Sequence, residues 1–254
     1  LKEFLAAGFP VIIEETFIFD SPQWPNDDLW AAHYVLLTGY DDSTQKFTIQ
    51  DAFHGANLKV SYDQLEKDWE PFNHLYLIFY LPDQESQVSS MLGADWDVDV
   101  NRQNALNATE AATISNPKDN FAWFNYGSNL VYFDKYEQAN QAYDTARQLG
   151  LPLRMFRYQF GPFLADFNTG RADDLLKITQ DTLDQAYASG TDGIGKYSEE
   201  AWLWNGYALF RKGDIQGAAK AWNSALHVRP NYCDAQYAIN NYIQASYDLN
   251  LCVP

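Results

Sequence analysis

Apolar residues recur with one period in the first eighty positions and with another in the second half of the chain. Phe9-Pro10-Val11-Ile12-Ile13-Glu14 follows a turn signal at Gly8 and predicts a short strand, while Leu1 to Ala7 reads as the end of a helix stopped at that glycine. Ser21 to Asp28, with two prolines and adjacent acids, predicts a loop. His33 to Tyr40 predicts a strong strand, Asp41 to Gln45 a turn, and Lys46 to Gln50 the returning strand of a hairpin. Ser61 to Lys67 has the capping residue and spacing of a short helix, and Leu75 to Tyr80 is a further strand. A compact antiparallel sheet with small helices fits this layout. Leu81-Pro82-Asp83 closes it, Gln84 to Ser90 reads as a polar linker, and Gln103 to Ala112 as helical.

From Asn116 onward the pattern is helical and repeats. One copy reads Trp123-x-x-Tyr126-Gly127-x-x-Leu130 and then Ala139-x-x-x-Tyr143. Another reads Trp202-x-x-Asn205-Gly206-x-x-Leu209, then Ala218-x-x-x-Trp222, then Pro230. This alternation of large, small and aromatic positions resembles the tetratricopeptide (TPR) repeat, a helix pair whose copies stack into a concave, polypeptide-binding array. Asn116-Pro117 predicts the first helix start, with helices running to about Phe133 and from Tyr136 to about Leu149. A middle, degenerate repeat keeps Gly161 and Leu164 in register, but Pro162 should bend or shorten its first helix. The surplus length before the last copy fits an insertion at Ser189 to Gly195, and Asp234 to about Asp248 predicts a closing helix.

The organisation expected is therefore α+β. A partial sheet domain (1–83) is followed by a partly helical linker (84–115) and an all-α repeat array (116–254). The positions expected to face the groove are Phe121, Phe124 and Tyr132 of the first repeat, Phe160, Leu164 and Phe167 of the second, and Leu203, Tyr207 and Phe210 of the third. So apolar a lining suits either an extended or helical protein segment with hydrophobic anchors or the packing of the sheet domain or another turn of the chain.

Charge narrows the partners. The net charge of −17 makes nucleic acid and anionic lipid poor partners, because like charges repel. No apolar run has the length of a membrane span. No cofactor is implied. Asp95-x-Asp97-x-Asp99 lacks the glycine (Val100 stands there) and the closing glutamate (Leu106) of a calcium loop, so it reads as a solvated acidic turn and no metal is assigned. Richness in Asn, Gln, Tyr and Trp points to an extracytoplasmic protein. Cys233 and Cys252 are open to pairing if the tail folds back along its helix.

Candidate chemistry lies in the sheet region. His33 starts one strand and Asp51 ends its hairpin partner, so folding the hairpin brings both to one end of the sheet. A carboxylate there can accept the imidazole Nδ1–H and leave Nε2 to serve a nucleophile, or the two are a structural strand-end histidine and its acid neighbour. His54 reads as part of the loop after the hairpin.

Ala32-His33-Tyr34-Val35-Leu36-Leu37-Thr38-Gly39-Tyr40-Asp41-Asp42, followed by Phe47-Thr48-Ile49-Gln50-Asp51, resembles the C-terminal half of a C39-like, papain-fold cysteine peptidase domain. Leu5 to Ile13 and Tyr62-x-x-Leu65-x-x-x-Trp69 fit the same half, and some bacterial members carry TPR repeats after it. The resemblance implies that His33 and Asp51 are the histidine and acid of a Cys-His-Asp triad. The family's nucleophilic cysteine lies on a helix of the other half of the domain, and neither that helix nor its cysteine has a counterpart here. Two expectations follow. The chain is a binding scaffold within a larger assembly, or it is part of a thiol peptidase whose Cys-bearing half lies upstream of Leu1.

Overall fold

The computed structural model describes residues 1–22, 27–185 and 194–243. The chain divides into two units. The first comprises 1–18, 30–133 and 142–151, and the second 19–29, 134–141 and 152–254.

In the first unit, α1 (Lys2–Ala6) ends at Gly8, whose φ of +85° only glycine adopts without strain. A five-stranded antiparallel sheet follows, formed by β1 (Val11–Ile18), β2 (Trp30–Asp41), β3 (Lys46–Asp51), β4 (Gly55–Ser61) and β5 (Tyr76–Ile78) in the order β4-β3-β2-β1-β5. Alternation sorts the side chains by face. Val11 and Ile13, Val35 and Leu37, and Phe47 and Ile49 enter one core with Phe4 of α1 and with Leu65 and Trp69 of α2 (Tyr62–Trp69). Each fully buried side chain of this size contributes about 1.5–3 kcal/mol. Ser61 caps α2 by accepting the Gln64 N–H.

Several elements differ from the sequence reading, each for a physical reason. β1 extends beyond Glu14 because it pairs with β2 as far as Ile18, opposite Trp30. β4 was not expected. It is an edge strand, exposed along most of its length, so its sequence lacks a buried alternating face. β5 is shorter than expected and stops at Ile78. The segment read as a polar linker forms α3 (Glu85–Leu92), whose Val88 is 1% exposed and belongs to the sheet core. α4 (Val98–Ser115) is longer than expected because Asp97 caps it, accepting the N–H groups of Asp99 and Val100. The next helix, α5 (Asn120–Tyr132), starts later than Asn116-Pro117 suggested. Asp119 accepts the Phe121 and Ala122 N–H groups, while Asn116 ends α4.

Buried amides tie α5 to the turn after α2. Asn125 Nδ2 donates to the Glu70 carbonyl at 2.6 Å, and Asn73 Nδ2 to Asn129 Oδ1 at 2.9 Å. α6 (Tyr136–Leu149) follows, and a Cβ on Gly127 of α5 would lie 2.7 Å from the Tyr143 ring.

The second unit is helical, with α7 (Gly161–Asn168), α8 (Ala172–Leu183), α9 (Glu199–Arg211), α10 (Ile215–Val228) and α11 (Cys233–Tyr242). Pro162 occupies the first turn of α7, so the proline shortens this helix rather than bending it. Mid-helix residues meet across the short turn at Gly213. Gly206 of α9 lies against the Trp222 indole of α10, and Trp222 Nε1–H donates to the Leu203 carbonyl at 3.1 Å. Asn205 joins α9 to α8 through a 3.1 Å bond to Thr179 Oγ1. Arg154 and Asp27 form an ion pair at 2.8 Å with both side chains almost fully buried.

Together these units have the expected α+β architecture. Among the described residues no helix is long and apolar enough to cross a membrane. Most of the expected insertion, the end of the expected closing helix, and Cys252 with its pairing to Cys233 lie outside the described residues.

Candidate active site

The register of the sheet assembles the site. Glu15 of β1 lies directly opposite His33 of β2, and both sit on the face that carries Ile13 and Val35. Asp51 closes β3 on the same face as Phe47 and Ile49. The chain then turns sharply and re-enters the sheet at Gly55, whose φ is +117°.

Within this turn Asp51 is held from several directions. Its Oδ1 accepts the Phe53 N–H at 2.7 Å and the His54 N–H at 3.2 Å, and it lies 2.8 Å from His33 Nε2. Its Oδ2 lies 2.7 Å from His54 Nδ1. The Asp51 side chain is 3% exposed, against 21% for His33 and 54% for His54. Burial by itself would raise the Asp51 pKa. The Phe53 N–H, both imidazoles and the His54 N–H oppose it and hold the carboxyl well below its ordinary range. An ionised Asp51 therefore faces two rings.

Glu15 behaves in the opposite way. Burial, reinforced by the negative charges of Asp68 and Asp51, raises its pKa to about 7. Carboxyls with opposite shifts in one site can divide acid and base roles between them. Phe17 packs on the group, with ring centroids 5.3 Å from both His33 and His54 and 4.9 Å from Phe53.

Two details differ from expectation. The carboxylate meets Nε2 of His33 rather than Nδ1. Asp51 therefore fixes the Nε2–H tautomer, and the Nδ1 lone pair is the one available as a base. His54, read as a loop residue, is drawn into the cluster by the turn itself. A histidine three residues after a strand-ending aspartate was the only signal in the sequence. Glu15 carried no signal, because its role depends on strand pairing.

The positions expected to face a groove are scattered in environment. Phe124 and Leu203 are 1% and 4% exposed and belong to the interior, so neither offers a face to a partner. Phe121 is half-buried, with its ring stacked 6.4 Å from Trp30. Tyr132 is exposed, donates to Asp99 Oδ1 at 3.2 Å and lies beneath Arg102. Phe160 and Leu164 are half-buried on and beside α7. Phe167 meets Tyr207 at 5.3 Å and lies beneath Arg211. Phe210 and Tyr207 pack over Trp222. The acidic turn is used locally, since Asp97 caps α4 and Asp95 Oδ1 accepts from Asn104 at 2.7 Å.

Residues 1–77 match the model of the Peptidase_C39 like family, and this part of the chain is similar to that family. No curated protein matches the chain.

Proposed function

We propose that this chain is a protein-binding subunit in which the C39-like domain, without a nucleophilic cysteine of its own, is joined to a TPR-type array that docks a protein or peptide within a larger assembly. One observation carries the reading: small residues pack against aromatic ones between paired helices, Gly206 against Trp222 and Gly127 against Tyr143, as in a stacked array whose face grips a polypeptide. The organisation proposed is the sheet domain at 1–83, a helical connector at 84–115 and the repeats at 116–254. The TPR assignment draws support from the same close small-to-aromatic contacts, which such a helix pair requires. The docking positions retained are the exposed Tyr132 and the half-buried Phe121, Phe160, Leu164, Phe167, Tyr207 and Phe210. An extracytoplasmic location belongs to the same proposal and rests on composition.

A second reading is favoured by the His33–Asp51 geometry. A buried, ionised carboxylate 2.8 Å from Nε2 leaves Nδ1 free to take a proton from a thiol. In that reading His33 and Asp51 are the base and orienter of a peptidase whose cysteine lies outside residues 1–254.

A fluorogenic peptide library and a panel of peptides with paired apolar anchors separate the two. For a subunit that only binds, the chain turns over no library member, and Phe167→Ser with Tyr207→Ser abolishes peptide binding. Turnover that disappears in His33→Ala would overturn the scaffold reading. Unchanged peptide binding by the double variant would remove the docking surface.

A further inference from the structure

We infer that His54 is a positioning residue for His33, acting through the carboxylate the two rings share. The inference deepens the reading of His33 as a base and rests on it.

The two oxygens of Asp51 are divided unequally. Oδ1 has three neighbours, the His33 ring and the Phe53 and His54 N–H groups. Oδ2 is held by the His54 ring at 2.7 Å. In a side chain only 3% exposed, removing that ring strips Oδ2 of this donor and frees the carboxylate to turn about its Cβ–Cγ bond. The Oδ1 contact to His33 turns with it.

An ionised carboxylate accepts only, so each neutral ring must present an N–H to it. His33 is thereby locked as the Nε2–H tautomer and His54 as the Nδ1–H tautomer. Phe17, 5.3 Å from each ring, holds the pair against one aromatic face.

The His54 side chain is 54% exposed and exchanges protons with water, whereas His33 is 21% exposed. The other charged groups around them are Glu15, opposite His33 on β1, and Asp68 of α2, which with Asp51 acts on Glu15. Because the Glu15 pKa is itself raised to about 7, its ionisation falls within the histidine range, and the tautomer of His33 rather than a titration curve reports on His54.

The test is two-bond proton–nitrogen NMR of the imidazoles in the full chain, from about pH 5 to about pH 9, across the range in which histidine titrates. The native protein should show opposite tautomers, Nε2–H for His33 and Nδ1–H for His54. In His54→Ala the carboxylate loses its donor on Oδ2 and turns, so the His33 ring should show both tautomers in place of one. His54→Asn places an amide N–H near the position of Nδ1. It should preserve the Nε2–H tautomer of His33.

An unchanged His33 tautomer in folded His54→Ala, or its loss in folded His54→Asn, would overturn the inference. His54→Asn decides the matter if His54→Ala does not fold. The readout needs no turnover and no partner, so failure of the peptidase or scaffold reading would be recognised separately.

Discussion

Replacing Glu15 by glutamine should make the protein more stable at high pH and leave it unchanged at low pH. The folded carboxyl has its pKa raised from 4.5 to about 7, chiefly by burial and further by Asp68 and Asp51. Between those values the folded state binds more protons than the unfolded chain, so stability falls as pH rises. The window lies between about pH 4.5 and pH 7, and the penalty is fully present above it. At about 1.4 kcal/mol per pH unit the shift corresponds to about 3 kcal/mol. Partial exposure of Glu15 and solvent screening bring the working figure to about 2–3 kcal/mol. Glutamine keeps the shape and removes the ionisation. Urea unfolding of both proteins at a series of pH values, followed by amide NMR signals of β1 and β2, measures the difference. The curves should coincide near pH 4 and separate progressively until about pH 8. Curves that run parallel would refute the reasoning, as would direct carbon NMR titration placing the Glu15 carboxyl in the ordinary carboxylate range.

Other expectations test the packing. Arg154→Ala should cost about 3–5 kcal/mol, because it leaves Asp27 as a buried charge without its guanidinium, and thermal unfolding of the variant will show the loss. Gly206→Ala should cost about 1–3 kcal/mol by driving a methyl into the Trp222 indole, whereas Gly213→Asn, in a turn with φ of +84°, should cost less by the same measurement. Leu203→Ala should lower stability by about 2–5 kcal/mol, as befits a core residue, and a neutral substitution would return Leu203 to the docking surface. Asp119→Ala should weaken the start of α5 by about 1 kcal/mol, visible as faster amide exchange at Phe121 and Ala122.

Local chemistry is what the sequence determines here. Gly8 ends a helix because only glycine accepts that backbone conformation, Ser61 starts one because its hydroxyl accepts an orphan N–H, and the run from His33 to Tyr40 is a strand because its residues suit a pleated, half-buried surface. The match of residues 1–77 to a peptidase family was legible for the same reason, since a motif is a string of adjacent residues. The proximity of His33 and Asp51 followed from one hairpin.

Tertiary structure decided whatever depends on residues distant in sequence or on the direction of a side chain. β4 carries no strong pattern of its own and becomes a strand because β3 offers an open edge. α3 joins the sheet domain because a single valine, Val88, finds the core. Helical spacing could mark Phe124 and Leu203 as apolar but could not say which side of each helix is covered. Pairing of β1 with β2 sets Glu15 opposite His33, and a three-residue turn brings His54 onto the free oxygen of Asp51. Ring orientation, burial and shared hydrogen bonds are properties of that three-dimensional neighbourhood, and they determine which nitrogen of His33 is left to act.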